Sequence, residues 1–351
     1  MLAAGTKSVA APIAEPPDTA AGRLWKQIVG PVEPFLDAVA SRLAEQVRAF
    51  DPGVQAYADY ALNGQGKQLR PALVALTAEA LGTPGEAHVT AATIIEMVHL
   101  ATLVHDDIMD EAELRRGRLT LAANWGNEIA VLFGDCLFAR ALELAASFPT
   151  PEVCRAVAAA TNTVCAGELL QTQHRRNFPV SQREYFKVLE MKTAELFALS
   201  CDLSAFASGA TAAQRTALRA YGMAFGTAYQ LYDDCLDLFG VESQAKKSLG
   251  TDLAKGKLTL PVLQLWKKAQ PADRQRLEHL VQQWEPGALA EVVTLLNLYG
   301  TIEPSLAVVH QYLAQAGACL HGWPDTPGRA GLLGVTEFLA RQTDLLAARL
   351  R

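Results

Sequence analysis

Aromatic side chains make up only 7% of this 351-residue chain. Large aromatic strand formers are therefore scarce. No stretch alternates apolar and polar residues long enough to build a sheet. No uninterrupted apolar run approaches the roughly 18–20 residues of a membrane span. The N-terminus lacks the charged-then-apolar pattern of a signal segment. Cys136, Cys154, Cys165, Cys201, Cys235 and Cys319 form no C-x-x-C pair and no metal-finger spacing. They lie in apolar helical text, where free cysteine is a common small core residue, so a reducing, cytoplasmic compartment is expected. Positive charge is not in excess: the net charge is −6, which argues against a nucleic-acid partner. The nucleophile elbow G-x-S-x-G, the zinc motif H-E-x-x-H and the P-loop are all missing. No low-complexity linker divides the chain.

Half of the residues are hydrophobic, with Ala and Leu dominant, and both are good helix formers. Residues 1–21 are rich in Ala, Pro and small polar residues and read as a disordered tail. Residues 22–351 then form one domain. The fold class expected is all-α, a single large bundle of about a dozen helices, near the upper size for one core. Gly-Pro-rich breaks at 63–66, 83–85 and 148–151 separate the helical stretches, and 240–257 reads as a loop rich in Lys and Gly.

Within this helical text two aspartate clusters share one spacing. Asp106, Asp107 and Asp110 form the first; Asp233, Asp234 and Asp237 form the second. Each sets carboxylates at i, i+1 and i+4, and i and i+4 lie on one helix face. Like charges so placed repel each other without a counter-ion. A single cluster reads equally well as a solvated acidic face. Two of them turned toward each other would make a cage for hard divalent cations. Mg²⁺ held by a few carboxylates, with water and phosphate oxygens completing its shell, is the usual arrangement on phosphate substrates.

Basic residues recur near these clusters or in glycine-bearing loops. Lys67 and Arg70 sit at a loop-to-helix junction, Gly66-Lys67-Gln68-Leu69-Arg70-Pro71, where backbone amides and a helix start attract phosphate. Arg115 and Arg116 follow the first cluster, Lys192 stands in Met191-Lys192-Thr193-Ala194, and Lys247 and Lys257 flank the glycines of the later loop. Any one of them alone is more simply a solvated surface cation; their value is collective. His99 lies two turns before Asp106, placed either as a core histidine or as a phosphate donor; His105 reads as structural.

Taken together these residues resemble the trans-isoprenyl diphosphate synthases, the polyprenyl synthetase family. The motifs G-K-x-x-R-P, D-D-x-x-D with R-R-G, K-T-A, Q-L-Y-D-D-C-L-D (Gln230 to Asp237) and G-x-D-L-x-x-G-K appear in family order, from about Gly30 onward. The resemblance implies an isoprenoid-synthase bundle with a central cavity and a homodimer. It also implies an enzyme that joins isopentenyl diphosphate to an allylic diphosphate head to tail, handing its product to membrane enzymes. By that resemblance Asp106, Asp110 and Asp233 hold three Mg²⁺ on the allylic diphosphate, supported by Asp107 and Asp237, with Asp234 completing the second motif. Arg115, Lys192 and Lys247 bind that diphosphate, with Lys257 near it. Lys67, Arg70, His99 and Arg116 bind isopentenyl diphosphate, and Thr193 and Gln230 turn oxygen dipoles toward the allylic cation. Gln65 and Gln68 depart from the family pattern, where a glycine and a basic residue are common. A class I terpene cyclase would normally replace the second cluster with an Asn/Ser/Glu triad, and a non-catalytic subunit would lose aspartates; this chain does neither.

Product length, on the same resemblance, is set beneath the first cluster, where bulky aromatics give short products. Ala101 and Thr102 stand at −5 and −4 from Asp106 and are small. The local text resembles long-chain members that make quinone side chains, so a product of about C30 or longer is expected, with C20 next.

Overall fold

The computed structural model describes residues 20–62, 68–240 and 249–349. Its elements are the helices α1 (Ala20–Val29), α2 (Glu33–Arg48), α3 (Pro52–Leu62), α4 (Leu69–Leu81), α5 (Glu86–Met109), α6 (Leu121–Trp125), α7 (Asn127–Ala146), α8 (Glu152–Gln173), α9 (Gln182–Leu189), α10 (Glu195–Ala207) and α11 (Ala212–Phe239). They continue with α12 (Thr251–Ala254), α13 (Leu260–Lys268), α14 (Pro271–Gln282), α15 (Ala288–Leu298), α16 (Ile302–Ala318) and α17 (Pro327–Arg349). A five-residue π-helical segment, Glu190–Ala194, joins α9 to α10 without a break. The all-α expectation holds, with one local exception. Leu114–Arg115 (β1) and Arg118–Leu119 (β2) pair antiparallel. The intervening Arg116 and Gly117 both have positive φ, 53° and 75°, as a two-residue hairpin turn demands. Sequence reading missed it because four strand residues are too few to show a period.

Local chemistry sets the helix boundaries. Thr211 and Gln214 form a reciprocal capping box at the start of α11, with the Gln214 amide donating to Thr211 Oγ1 at 3.3 Å and the Thr211 amide to Gln214 Oε1 at 2.9 Å. Ser181 and Glu184 do the same for α9. Pro34, Pro261 and Pro271 occupy first-turn positions of α2, α13 and α14, where the missing N–H costs nothing. Gln68, just before α4, is held at φ 52°, a costly conformation outside glycine.

Helices α4, α5, α10 and α11 pack on one another at the centre, with α7, α8, α16 and α17 around them. Leu73, Val74, Ile94, Ile95, Phe197 and Tyr221 are fully buried there, and each such side chain contributes about 1.5–3 kcal/mol by leaving water. Polar ties fix the layers: Ser204 Oγ donates to the Val74 carbonyl at 2.7 Å, and Tyr221 Oη to the Leu332 carbonyl at 2.7 Å. Helix α5 is long and apolar enough to cross a membrane by length and composition, with a mean hydropathy of 1.5, contrary to the expectation of no such stretch. It is a core helix, packed against α2, α4, α7 and α10.

Two expected features lie outside the described residues: the tail over residues 1–19, and the loop residues Lys67 and Lys247. Helix α1 starts at Ala20, so the last two residues assigned to the tail are helical.

Candidate active site

Helix α5 ends at its aspartates and α11 carries the second cluster near its C-terminus. Asp106 and Asp110 from α5 and Asp233 and Asp234 from α11 line one cavity, together with Arg115, Gln171, Lys192, Thr193, Gln230, Asp252 and Lys257. The two clusters therefore do face a common space.

Their members have separate tasks. Asp107 is buried away from the cavity and takes a bidentate ion pair from Arg115, at 2.8 Å and 3.0 Å from Nε and 2.8 Å from Nη2. Asp237 is fully buried and caps the turn of the following helix, accepting from Thr251 Oγ1 at 2.8 Å and the Asp252 amide at 3.1 Å. Asp234 accepts from Tyr185 Oη at 2.5 Å and Gln230 Nε2 at 2.8 Å, and Gln230 in turn accepts from Thr193 Oγ1 at 2.9 Å. Burial, then the charge of Asp252, pushes the Asp234 carboxyl up to about 8. Thr193 and Gln230 thus meet on the cavity wall, as the sequence suggests, locked into a chain that ends on Tyr185.

Asp106 and Asp110 differ. Burial raises Asp106 despite the nearby Lys192 ammonium. Burial opposes ionisation of Asp110 as well, but the charges of Lys257, Lys255 and Lys192 outweigh it and its pKa falls. Lys257 Nζ stands 2.7 Å from Asp110 Oδ2, Lys255 3.6 Å away, and Arg175 Nη2 3.0 Å from Oδ1. Lys192 is ion-paired with Glu168, donates to Gln171 Oε1 at 2.8 Å and lies 3.8 Å from Asp106. Burial works against its charge, but Asp106 and Glu168 prevail and its pKa rises.

Among the described residues no three His, Cys, Asp or Glu side chains converge tightly enough to hold a metal ion unaided. The carboxylates of the two clusters stand apart around one cavity. Such a donor set fits Mg²⁺, which usually takes one or two carboxylates and fills its shell with water and phosphate oxygens.

A second basic group lies behind the first. Arg70 places its guanidinium 4.4 Å from the Phe197 ring centroid, and its Nε is buried without a hydrogen-bond partner. Burial, then the charges of Arg70, Arg115 and Arg116, holds His99 well below the ordinary imidazole range. Burial, followed by the neighbouring Arg115, lowers Arg116 too. Glu96 is raised by burial against the pull of Arg70 and Arg116. Arg70 of α4, His99 and Glu96 of α5 and Arg116 of the hairpin turn thus act on one another electrostatically. His105 is structural: its Nε2 lies 3.1 Å from the Val131 carbonyl and its ring fills the space left by Gly134.

Ala101 is entirely buried in the core and Thr102 turns its hydroxyl onto the His99 carbonyl at 2.7 Å. The apolar α5 residue on the cavity wall is Leu103, two turns below Asp110. Sequence reasoning also missed Glu168, Gln171, Arg175, Tyr185 and Lys255, and gave Asp252 of the G-x-D-L-x-x-G-K motif no role. For Glu168, Gln171 and Arg175 a signal exists, since they recur at i, i+3 and i+7 around the end of α8.

The model of the polyprenyl synthetase family matches residues 51–298. The octaprenyl diphosphate synthase of Escherichia coli is 35% identical over 81% of this chain and 88% of its own length. The nonaprenyl diphosphate synthase of Mycobacterium tuberculosis is 37% identical over 79% and 83%. The crystal structure of a polyprenyl synthase from Caulobacter crescentus, complexed with calcium and isoprenyl diphosphate, superposes with a TM-score of 0.85 at 30% identity, covering 90% of this chain and 97% of that one.

Proposed function

From the premise that this chain belongs to the polyprenyl synthetase family, we propose that it is a long-chain polyprenyl diphosphate synthase, a trans-prenyltransferase that adds isopentenyl diphosphate to an allylic diphosphate. Two groups of charged residues support this reading. One is the carboxylate-lined cavity with Lys192 and Lys257; the other is the basic group of Arg70, His99 and Arg116. Two diphosphates are what a condensation needs and a cyclase does not.

The family uses divalent metal ions, and we assign Mg²⁺ here, three ions held by Asp106, Asp110 and Asp233. Bound cations supply the positive charge that stabilises the diphosphate as its C–O bond ionises. Arg115, Lys192, Lys247 and Lys257 add cationic donors for that leaving group. Asp107 orients Arg115, Asp237 holds the loop of Asp252, and Asp234 fixes Gln230. The oxygens of Thr193 and Gln230 face the allylic cation, and leucine and valine side chains around them exclude water. Lys67, Arg70, His99 and Arg116 hold isopentenyl diphosphate, and the released diphosphate takes the proton.

Product length of about C30 or more rests on the long-chain relatives and on the absence of an aromatic side chain from the α5 wall of the cavity. Such a chain is destined for membrane enzymes, since each CH₂ removed from water is worth about 0.8 kcal/mol. The free cysteines suit a reducing cytoplasm. Exposed Leu132 and Leu169 on α7 and α8 support a homodimer.

The test is a product assay with Mg²⁺, labelled isopentenyl diphosphate and farnesyl or geranylgeranyl diphosphate as primer. A ladder ending at C30 or beyond is expected. A stop at C20 would overturn the length assignment while keeping the reaction, and no elongation from any primer would overturn the reaction.

A further inference from the structure

Arg175 belongs to none of the sequence motifs, yet it reaches the first aspartate cluster. It lies at the turn after α8, with Nη2 3.0 Å from Asp110 Oδ1. Asp110 also receives Lys257 at 2.7 Å and Lys255 at 3.6 Å. Three cations thus converge on one carboxylate that lines the cavity. The Nε of Arg175 is buried with no hydrogen-bond partner, an expensive state for a guanidinium donor. It is relieved when an acceptor arrives.

The backbone carries Arg175 in step with the lysines. The Arg176 amide donates to the Gly256 carbonyl at 2.7 Å. Gly256 sits at φ +73°, and a Cβ there would meet Arg176 Cγ at 2.5 Å. Arg176 itself is held at φ 58°. Residues 174–177 and 255–257 are thereby stitched into one strap across Asp110, and His174 and Lys257 of that strap line the cavity.

We propose that Arg175 is a further diphosphate-binding residue: it rests on Asp110 until divalent cations occupy that carboxylate, then turns its fork onto the allylic diphosphate. A planar fork suits this exchange, because it pairs a carboxylate and a phosphate in the same bidentate geometry. The inference rests on the reaction assigned above and adds a residue specific to the allylic side.

The experiment compares wild type, Arg175→Gln and Arg175→Lys by steady-state kinetics and by calorimetric titration of inorganic pyrophosphate with and without Mg²⁺. In Arg175→Gln, KM for the allylic diphosphate should rise about tenfold, the scale of one charged hydrogen bond. KM for isopentenyl diphosphate should stay within about twofold. Pyrophosphate affinity should fall by a similar factor in Mg²⁺ and hardly change without it, and Arg175→Lys should recover part of the loss. Equal rises in both KM values, or the same loss of pyrophosphate affinity with and without Mg²⁺, would make Arg175 a structural clamp and overturn the proposal. So would unchanged constants in a variant of wild-type melting temperature. A wild type that binds pyrophosphate with Mg²⁺ but elongates no primer would defeat the assigned reaction alone, leaving the pyrophosphate comparison to decide Arg175.

Discussion

Asp234 shows how burial divides work among identical side chains. Its neighbour Asp233 lines the cavity beside it, while Asp234 accepts from Tyr185 and Gln230 and burial pushes its carboxyl up to about 8. A carboxyl whose folded pKa lies above the unfolded value near 3.9 binds extra protons in the native state. Its contribution to stability is complete at low pH and is lost as pH rises through about 8. In metal-free protein, Asp234→Asn should therefore melt higher than wild type at pH 8, with the difference shrinking toward pH 5. Thermal unfolding in chelator across that range measures it; a difference independent of pH would show that Asp234 is not held neutral. The same substitution loosens Gln230, so the rate of condensation should drop even where the fold is firmer.

At the scale of elements, the feature that decides the site is the π turn Glu190–Ala194. It sets Lys192 and Thr193 on the cavity side of a continuous rod. Short π segments of this kind are frequent at functional sites. Bare backbone on two neighbours makes room for it. A Cβ at Gly167 of α8 would stand 2.7 Å from the Lys192 amide nitrogen, and one at Gly226 of α11 would stand 2.7 Å from Ala194 Cα. Neither approach can yield without moving backbone. Gly167→Ala should cost about 1–3 kcal/mol of stability and lower kcat by an order of magnitude or more, since Lys192 shifts relative to Glu168 and Gln171. Melting temperature and kcat measured together check this, and a variant with wild-type kcat would refute the positioning role of the turn. None of this is legible in the sequence, where 182–208 reads as one uninterrupted helix. Composition and helical patterning did reveal the all-α bundle and the paired aspartates the shared cavity, while the family resemblance singled out Asp106, Asp110, Asp233, Lys192, Thr193 and Gln230, all of which line it. What stayed hidden depends on contacts between distant segments: Arg115 turning back onto Asp107, Asp237 capping the Thr251 turn, and Leu103 taking the wall position expected of Thr102. A helix-wheel count gives the face of a residue, but not which of two adjacent positions the neighbouring helix covers.

For the whole molecule, the burial pattern separates two kinds of apolar surface. The window that makes α5 long and apolar enough for a membrane is largely enclosed by other helices, 61% of it buried. The outer side of the α7–α8 pair is different. Val131, Leu132 and Leu142 on α7 and Leu169 on α8 are exposed, Leu132 at 62% and Leu169 at 66%. Exposed apolar side chains on two neighbouring helices are candidates for an interaction site. We propose a second copy of the chain as the partner, since a two-fold interface is self-complementary. The same helices back the chemistry, since α8 carries Glu168 and Gln171 against Lys192 and α7 holds His105 behind Asp106. Association there would stiffen the cavity from outside. Wild type should sediment at twice the chain mass at micromolar concentration, and Leu132→Glu with Leu169→Glu should sediment as a monomer. Isolated surface changes of this kind normally shift stability by no more than about 0.5 kcal/mol, so far-ultraviolet circular dichroism of the monomer should stay native. Its condensation rate should fall, because each cavity would then stand on helices that lack their outer support. A wild type that sediments as a monomer, or a double variant that remains a full-rate dimer, would place the association surface elsewhere and free the α7–α8 face of any role in the reaction.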